Sequence, residues 1–186
     1  MVSIASLWLP IVVSAVVIFF VSFLLHMVIP FHRADYRTLP NEDASMDALR
    51  KLAIPPGDYM VPCAGTPENM KSPAFQEKWA KGPVMMMTVM PTGQVTLARN
   101  LIQWFLYSLV IGVLCAYVTS RAVGPAAGGM EVLRFAGVTA FTAYTFGLFQ
   151  MSIWYSRSWG TTIRYTVDGL IFGVLTGLVF MWMWPK

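Results

Sequence analysis

The stretch Thr166-Val-Asp-Gly-Leu-Ile-Phe-Gly-Val-Leu-Thr-Gly-Leu-Val-Phe-Met-Trp-Met-Trp184 decides how the rest of the chain is read. It is long enough to cross the roughly 30 Å of bilayer hydrocarbon as one helix, and its only charged residue is Asp168, near its start. Gly169, Gly173 and Gly177 recur every fourth residue. On a helix that spacing makes a stripe without side chains, against which a second backbone approaches closely enough for dispersion to hold the pair in lipid. Asp168 follows Arg164 by one helical turn, and a charge in a span costs a few kcal/mol, so such groups face the bundle interior and pair.

Composition points to the same solvent. Of 186 residues, 56% are hydrophobic and 12% charged, and the mean hydropathy is +0.60. A water-soluble core of this length does not hide so much apolar surface. Four segments reach spanning length: Leu7 to Ile29, Thr96 to Thr119, Leu133 to Ile153, and Thr162 to Trp184. The expected fold is an all-α integral membrane four-helix bundle, with helix 1 in residues 1–30, an extramembrane loop in 31–94 and helices 2–4 in 95–186.

The formal charge of +4 arises from scattered basic residues without a run, which suits membrane flanks and not nucleic acid. The first segment lacks a basic n-region and a small-residue cleavage site, so it reads as a retained helix and not as a signal peptide. No charged side chain precedes it, while Arg33 and Arg37 follow it. Lys78, Lys81, Arg99, Arg157 and Arg164 fall on that same side, against Arg121, Arg134 and Lys186 on the other. Basic flanks stay in the cytoplasm, which places residues 31–94 there and both termini in the periplasm of a bacterial inner membrane.

The loop carries punctuation that implies partial order. Asn41 is placed to cap a helix running through Ile54, with Met46, Leu49 and Leu52 on one face. Pro55-Pro56-Gly57 stops it, and Asp58 to Cys63 reads as extended. Ser72-Pro73 and Gly82 bracket a second helix with Phe75 and Trp79 four apart, beside Lys78 and Lys81, as on a helix lying at headgroups. Val84 to Met90, between two prolines, is too short to span. It is a strand paired with Tyr59 to Val61 in a two-stranded ribbon, an interfacial ledge or a shallow re-entrant turn. Its methionines suit Cu(I) by softness, but with no Cys or His beside them an apolar filler is the favoured reading.

Two helices carry small residues every fourth position: Thr139, Ala143 and Gly147 in the third, Gly169, Gly173 and Gly177 in the fourth. The simplest packing sets one stripe against the other. Trp182 and Trp184 are placed to mark the far interface. Polar groups gather at the loop side, namely His26, Arg99, Gln103, Gln150, Arg164 and Asp168. Pairing of Asp168 with Arg164 or Arg99, with His26 nearby, makes a site for an anionic lipid headgroup or a quinone ring. Residues within a turn of an interface also snorkel without any site.

Familiar chemistries are not signalled. Cys63 and Cys115 show no CxxC or Cys/His ligand spacing. His26 and His32 lie on one segment with Pro30 between them, so the chain offers no bis-histidine haem ligation across its bundle, and no cofactor or metal is expected. No HExxH, phosphate loop or Ser/His/Asp arrangement is present. Pro56-Gly-Asp-Tyr-Met-Val-Pro62, the Lys81-Gly-Pro83 junction and the glycine-striped closing helix resemble small bacterial four-helix inner-membrane proteins of unassigned function. That resemblance implies a fold and a location and carries over no catalytic residue.

The leading functional expectation is non-catalytic: an accessory or scaffold subunit packing by its small-residue stripes against a larger membrane complex, or against further copies of itself. The alternatives are a small-solute or metal-ion transporter using Met85 to Met90 and the polar cluster near Asp168, and a lipid- or quinone-binding membrane enzyme.

Overall fold

The computed structural model describes residues 2–94 and 96–185. It is 70% helical and forms two compact units, one made of Met1–Arg37 with Thr96–Lys186 and the other of Thr38–Val95. The helical unit holds α1 (Trp8–Phe23), α5 (Ala98–Ala122), α6 (Gly129–Tyr155) and α7 (Trp159–Met183). With the turns flanking α1, these give four helical segments long and apolar enough to span a membrane, Ile4–Val28, Ala98–Ala122, Gly129–Tyr155 and Trp159–Met183. They are the helices of a multi-pass membrane protein by length and composition. Large apolar side chains line their outer faces, with Phe20, Val110 and Val138 each more than three-fifths exposed, as a lipid-facing surface requires and a water-facing one disfavours.

Helix α1 packs on α5 and α7, α5 on α6, and α6 most extensively on α7. The core runs through Leu7, Ile11, Ile111, Cys115, Ala116, Val132, Ala136, Ala140 and Phe180. Gly112 allows α5 to meet α1: a Cβ there would lie 3.2 Å from the Ile11 carbonyl oxygen. Trp184 turns inward, 8% exposed, and its indole N–H donates to the Gly124 carbonyl at 3.1 Å, while Trp182 remains exposed. Only one of the two terminal indoles therefore has the outward placement expected of an interface marker.

The α6–α7 contact uses a different stripe of α6 from the expected one. Gly169, Gly173 and Gly177 do face α6, but they meet Thr145, Phe141, Gly137 and Leu133. A Cβ on Gly147 would touch nothing within 4 Å, Thr139 bonds its own helix at Phe135, and the Ala143 carbonyl accepts from Tyr107 on α5. The physical reason is that Val132, Ala136 and Ala140 are fully buried in the core. Burying them fixes the rotation of α6 and turns the neighbouring 133–137–141–145 line toward α7.

The second unit holds α2 (Glu42–Lys51), β1 (Gly57–Val61), α3 (Pro67–Met70), α4 (Pro73–Lys81) and β2 (Met85–Val89). The strands pair antiparallel with Gly57 opposite Val89 and Val61 opposite Met85, so the methionine run is a strand of a two-stranded ribbon. The Thr88 hydroxyl donates to Asp58 across it at 2.6 Å. Helix α4 has the expected ends: Ser72 Oγ accepts from the Phe75 N–H at 3.2 Å, and Gly82 adopts φ 60°. Helix α2 does not. Asn41 is left-handed and makes no side-chain cap, and the helix ends at Lys51 and not at Ile54. Ala53 has φ 47°, a helix-stopping conformation, and Ile54 precedes Pro55, which disfavours helical backbone.

Candidate functional site

Pro30 shapes the site. Its missing N–H and its clash with the preceding residue end α1, leaving Ile29 extended at φ −82°, ψ 130°. The turn before it widens to a π-helical one over Leu24–Val28, in which the Ile29 N–H donates to the Leu24 carbonyl at 2.9 Å. Such turns recur at functional sites, and this one carries His26. A single tight turn, Pro30–His32, follows, and the Asp35 N–H donates back to the His32 carbonyl at 3.0 Å. The chain thereby brings the His26 and His32 rings to 4.1 Å between centroids.

Helix α7 faces them with Arg164 and Asp168. His32 lies between two carboxylates, its Nδ1 2.6 Å from Asp35 Oδ2 and its Nε2 2.8 Å from Asp168 Oδ2. His26 Nε2 is 3.9 Å from that same Asp168 oxygen. Arg164 donates from Nε to Asp35 Oδ1 at 2.6 Å, and its Nη2 stands 2.6 Å from the same oxygen in an ion pair. The Tyr165 ring packs on both imidazoles, at 5.6 and 5.0 Å, and carries the Arg157 guanidinium 5.1 Å from its centroid. Both carboxylates are 2% exposed.

The charges resolve into one pair and one remainder. Burial pushes the Asp35 carboxyl up, but hydrogen bonds from His32 and Arg164 and the Arg164 charge outweigh it and hold the group below the usual carboxylate range. Its contribution to stability is thus complete at neutral pH and is lost only as acid reaches below that range. As an ionised carboxylate Asp35 accepts only, so His32 Nδ1 carries the proton. Arg164 neutralises Asp35, and Asp168 is left as a buried carboxyl whose charge is balanced by a proton, by the imidazoles or by a bound cation.

Asp168 Oδ1 has no hydrogen-bond partner among the described residues, while Oδ2 faces His32 Nε2 at 2.8 Å. His26, His32 and Asp168 each offer one ligand atom, and the three lie within 4.8 Å of one another. Ligand atoms about 2.1 Å from one tetrahedral ion lie roughly 3.4 Å apart, so closing the set requires the partly exposed His26 ring to move inward by about 1–1.5 Å.

Of the residues singled out in the sequence, His26, Arg164 and Asp168 meet here, with Arg164 turned to Asp35 and Asp168 to the histidines. Arg99, Gln103 and Gln150 are exposed and join these groups by no hydrogen bond or ion pair among the described residues. His32 and Asp35 complete the site without having been singled out for it. Comparison with protein-family models, with curated proteins and with solved structures finds no match to this chain.

Proposed function

We propose that this multi-pass protein binds a first-row divalent transition-metal ion through His26, His32 and Asp168. The observation that carries the reading is the gathering of His26, His32 and the 2%-exposed Asp168 carboxylate, whose ligand atoms lie within 4.8 Å of one another, with Asp168 Oδ1 left without a hydrogen bond among the described residues. Two imidazoles and one carboxylate suit Zn²⁺, Fe²⁺ or Mn²⁺. The Asp35–His32 hydrogen bond is the outer-shell contact that ligating histidines characteristically make, fixing the tautomer and orienting the ring. A divalent ion also supplies the positive charge that Asp168 lacks. Three protein ligands leave coordination positions open, as in sites that exchange or activate a further ligand.

The experiment is a Co²⁺ and Zn²⁺ titration of the detergent-purified protein after chelator treatment. One equivalent is expected, with d–d absorption for Co²⁺. His32→Gln and Asp168→Asn should each weaken binding by more than the roughly 10–100-fold typical of losing an outer-shell partner. Wild-type protein that binds neither ion more tightly than His32→Gln overturns the reading and leaves His32 as an imidazolium clamped between two carboxylates.

The accessory-subunit reading has less to stand on, because Gly169, Gly173 and Gly177 are covered by α6 of the same chain. A partner would therefore need another face. Localisation follows the basic flanks: we place the protein in a bacterial inner membrane with residues 31–94 cytoplasmic and both termini periplasmic. Cys63 is exposed and Cys115 buried. A membrane-impermeant maleimide should then label Cys63 only after the cells are opened, and labelling in intact cells reverses the assignment.

A further inference from the structure

Beside His26 and Asp168 lies a cavity of about 250 Å³ to which all four long helical segments contribute. We infer that it receives the ring of a hydroxyaromatic compound, a phenol or hydroquinone, whose oxygen meets the open side of the proposed ion. The inference rests on the metal reading for that oxygen's partner and adds the class of ligand.

The walls argue for a ring. Trp104, Tyr144, Tyr165 and Phe172 line the space, with Trp104 and Tyr144 each within 6.1 Å of Phe172 between centroids. The polar handles of this wall are partly committed elsewhere. The Trp104 N–H donates to Ser22 Oγ at 2.8 Å, and the neighbouring Tyr107 hydroxyl donates to the Ala143 carbonyl at 3.2 Å. These residues therefore present apolar π surface, which favours offset or edge-on stacking of another ring.

The polar corner argues for a hydroxyl. His26 and Asp168 border the cavity, and Asp168 Oδ1 is an acceptor without a donor among the described residues. A ligand bringing an O–H satisfies such a group, whereas a quinone carbonyl does not. Anionic headgroups find no free guanidinium here, because Arg164 is already bound to Asp35. Size sets a further bound: ligand sites commonly run about 300–1,000 Å³, so this smaller space takes one ring and excludes haem or a nucleotide.

Hydroquinone and 2-decylhydroquinone, both kept reduced, would be titrated into the Zn²⁺-loaded and chelator-treated protein, with binding read by saturation-transfer NMR and indole quenching. Saturable binding is expected, weaker by at least about tenfold in Leu148→Trp, which fills the cavity from its lining. Zn²⁺ binding should be retained in that variant, which also reports that it is folded. Leu148→Phe, a smaller filling, should show an intermediate loss if the larger side chain prevents folding. Tighter binding of the decyl compound identifies a membrane lipid as the source, and equal binding a small soluble phenol. Protein that takes up Zn²⁺ but neither hydroquinone, or a Leu148→Trp protein that binds as wild type, overturns the inference while leaving the metal reading intact. Hydroquinone binding without Zn²⁺ binding overturns the metal reading and leaves the ring site bonded to Asp168 alone.

Discussion

Gly173→Leu is expected to yield no protein with a cooperative thermal transition in detergent, whereas Gly169→Ala yields one that is weakened and repairable. A Cβ at Gly173 meets the Gly137 carbonyl oxygen at 2.8 Å and the Phe141 backbone nitrogen at 3.1 Å. Gly177 is similar, with the Leu133 carbonyl oxygen at 2.8 Å and the Gly137 Cα at 3.2 Å. These are backbone atoms, so relief requires α6 and α7 to separate, and with them the most extensive helix contact in the chain. Overpacking that side chains absorb costs about 1–3 kcal/mol, and a leucine against backbone exceeds it. At Gly169 the obstacle is instead the Thr145 methyl, 2.1 Å from a built Cβ. Thr145 turns away only by giving up its hydrogen bond to the Phe141 carbonyl, 2.5 Å long. Thr145→Ser removes the methyl and keeps the hydroxyl, so Gly169→Ala/Thr145→Ser should recover most of the melting temperature lost in Gly169→Ala. A Gly173→Leu protein that melts with the wild type would refute the packing.

The contrast between the glycines shows what was legible in the sequence. Spans are written in local apolarity, which acts residue by residue, so Thr96 to Thr119 became Ala98–Ala122 and Thr162 to Trp184 became Trp159–Met183 with only their ends moved. The facing partner of a glycine stripe is not local. Gly173 needs a backbone and not a small side chain, so Phe141 serves where Ala143 was expected, and the rotation of α6 is decided by what Val132, Ala136 and Ala140 bury. The site divides the same way. Asp168 and Arg164 stand out as charges in an apolar helix, but His32 and Asp35 look like ordinary loop residues until the reversal at Pro30 folds them back. A signal was present: two histidines flanking a proline, with an acid three residues after the second. The spacing resembles no helical ligand pair, because the turn that joins them is not helical throughout.

Asp35→Asn should therefore do two things that Arg164→Gln does not do together. Asp35 is 2% exposed and holds both Arg164 and His32. Removing its charge strands the guanidinium, left among the described residues with a long 3.4 Å contact to Thr161 Oγ1. Breaking a buried pair costs about 3–5 kcal/mol, and the lower end applies because Arg164 keeps 21% exposure and some access to water. The second effect is on the ion. An asparagine that turns its amide toward Nδ1 forces the ring proton onto Nε2, the atom proposed to bind metal, so Zn²⁺ affinity should fall by roughly 10–100-fold as for other outer-shell losses. Arg164→Gln leaves Asp35 bonded to Nδ1, so the tautomer is kept and the ion binds nearly as before, while stability drops. Paired measurements of thermal stability and Zn²⁺ affinity on the two variants separate the roles. If both lose metal equally, His32 is oriented by packing against Tyr165 and Phe31 and not by the carboxylate. If neither loses metal, the Asp35–His32 bond has no part in holding an ion.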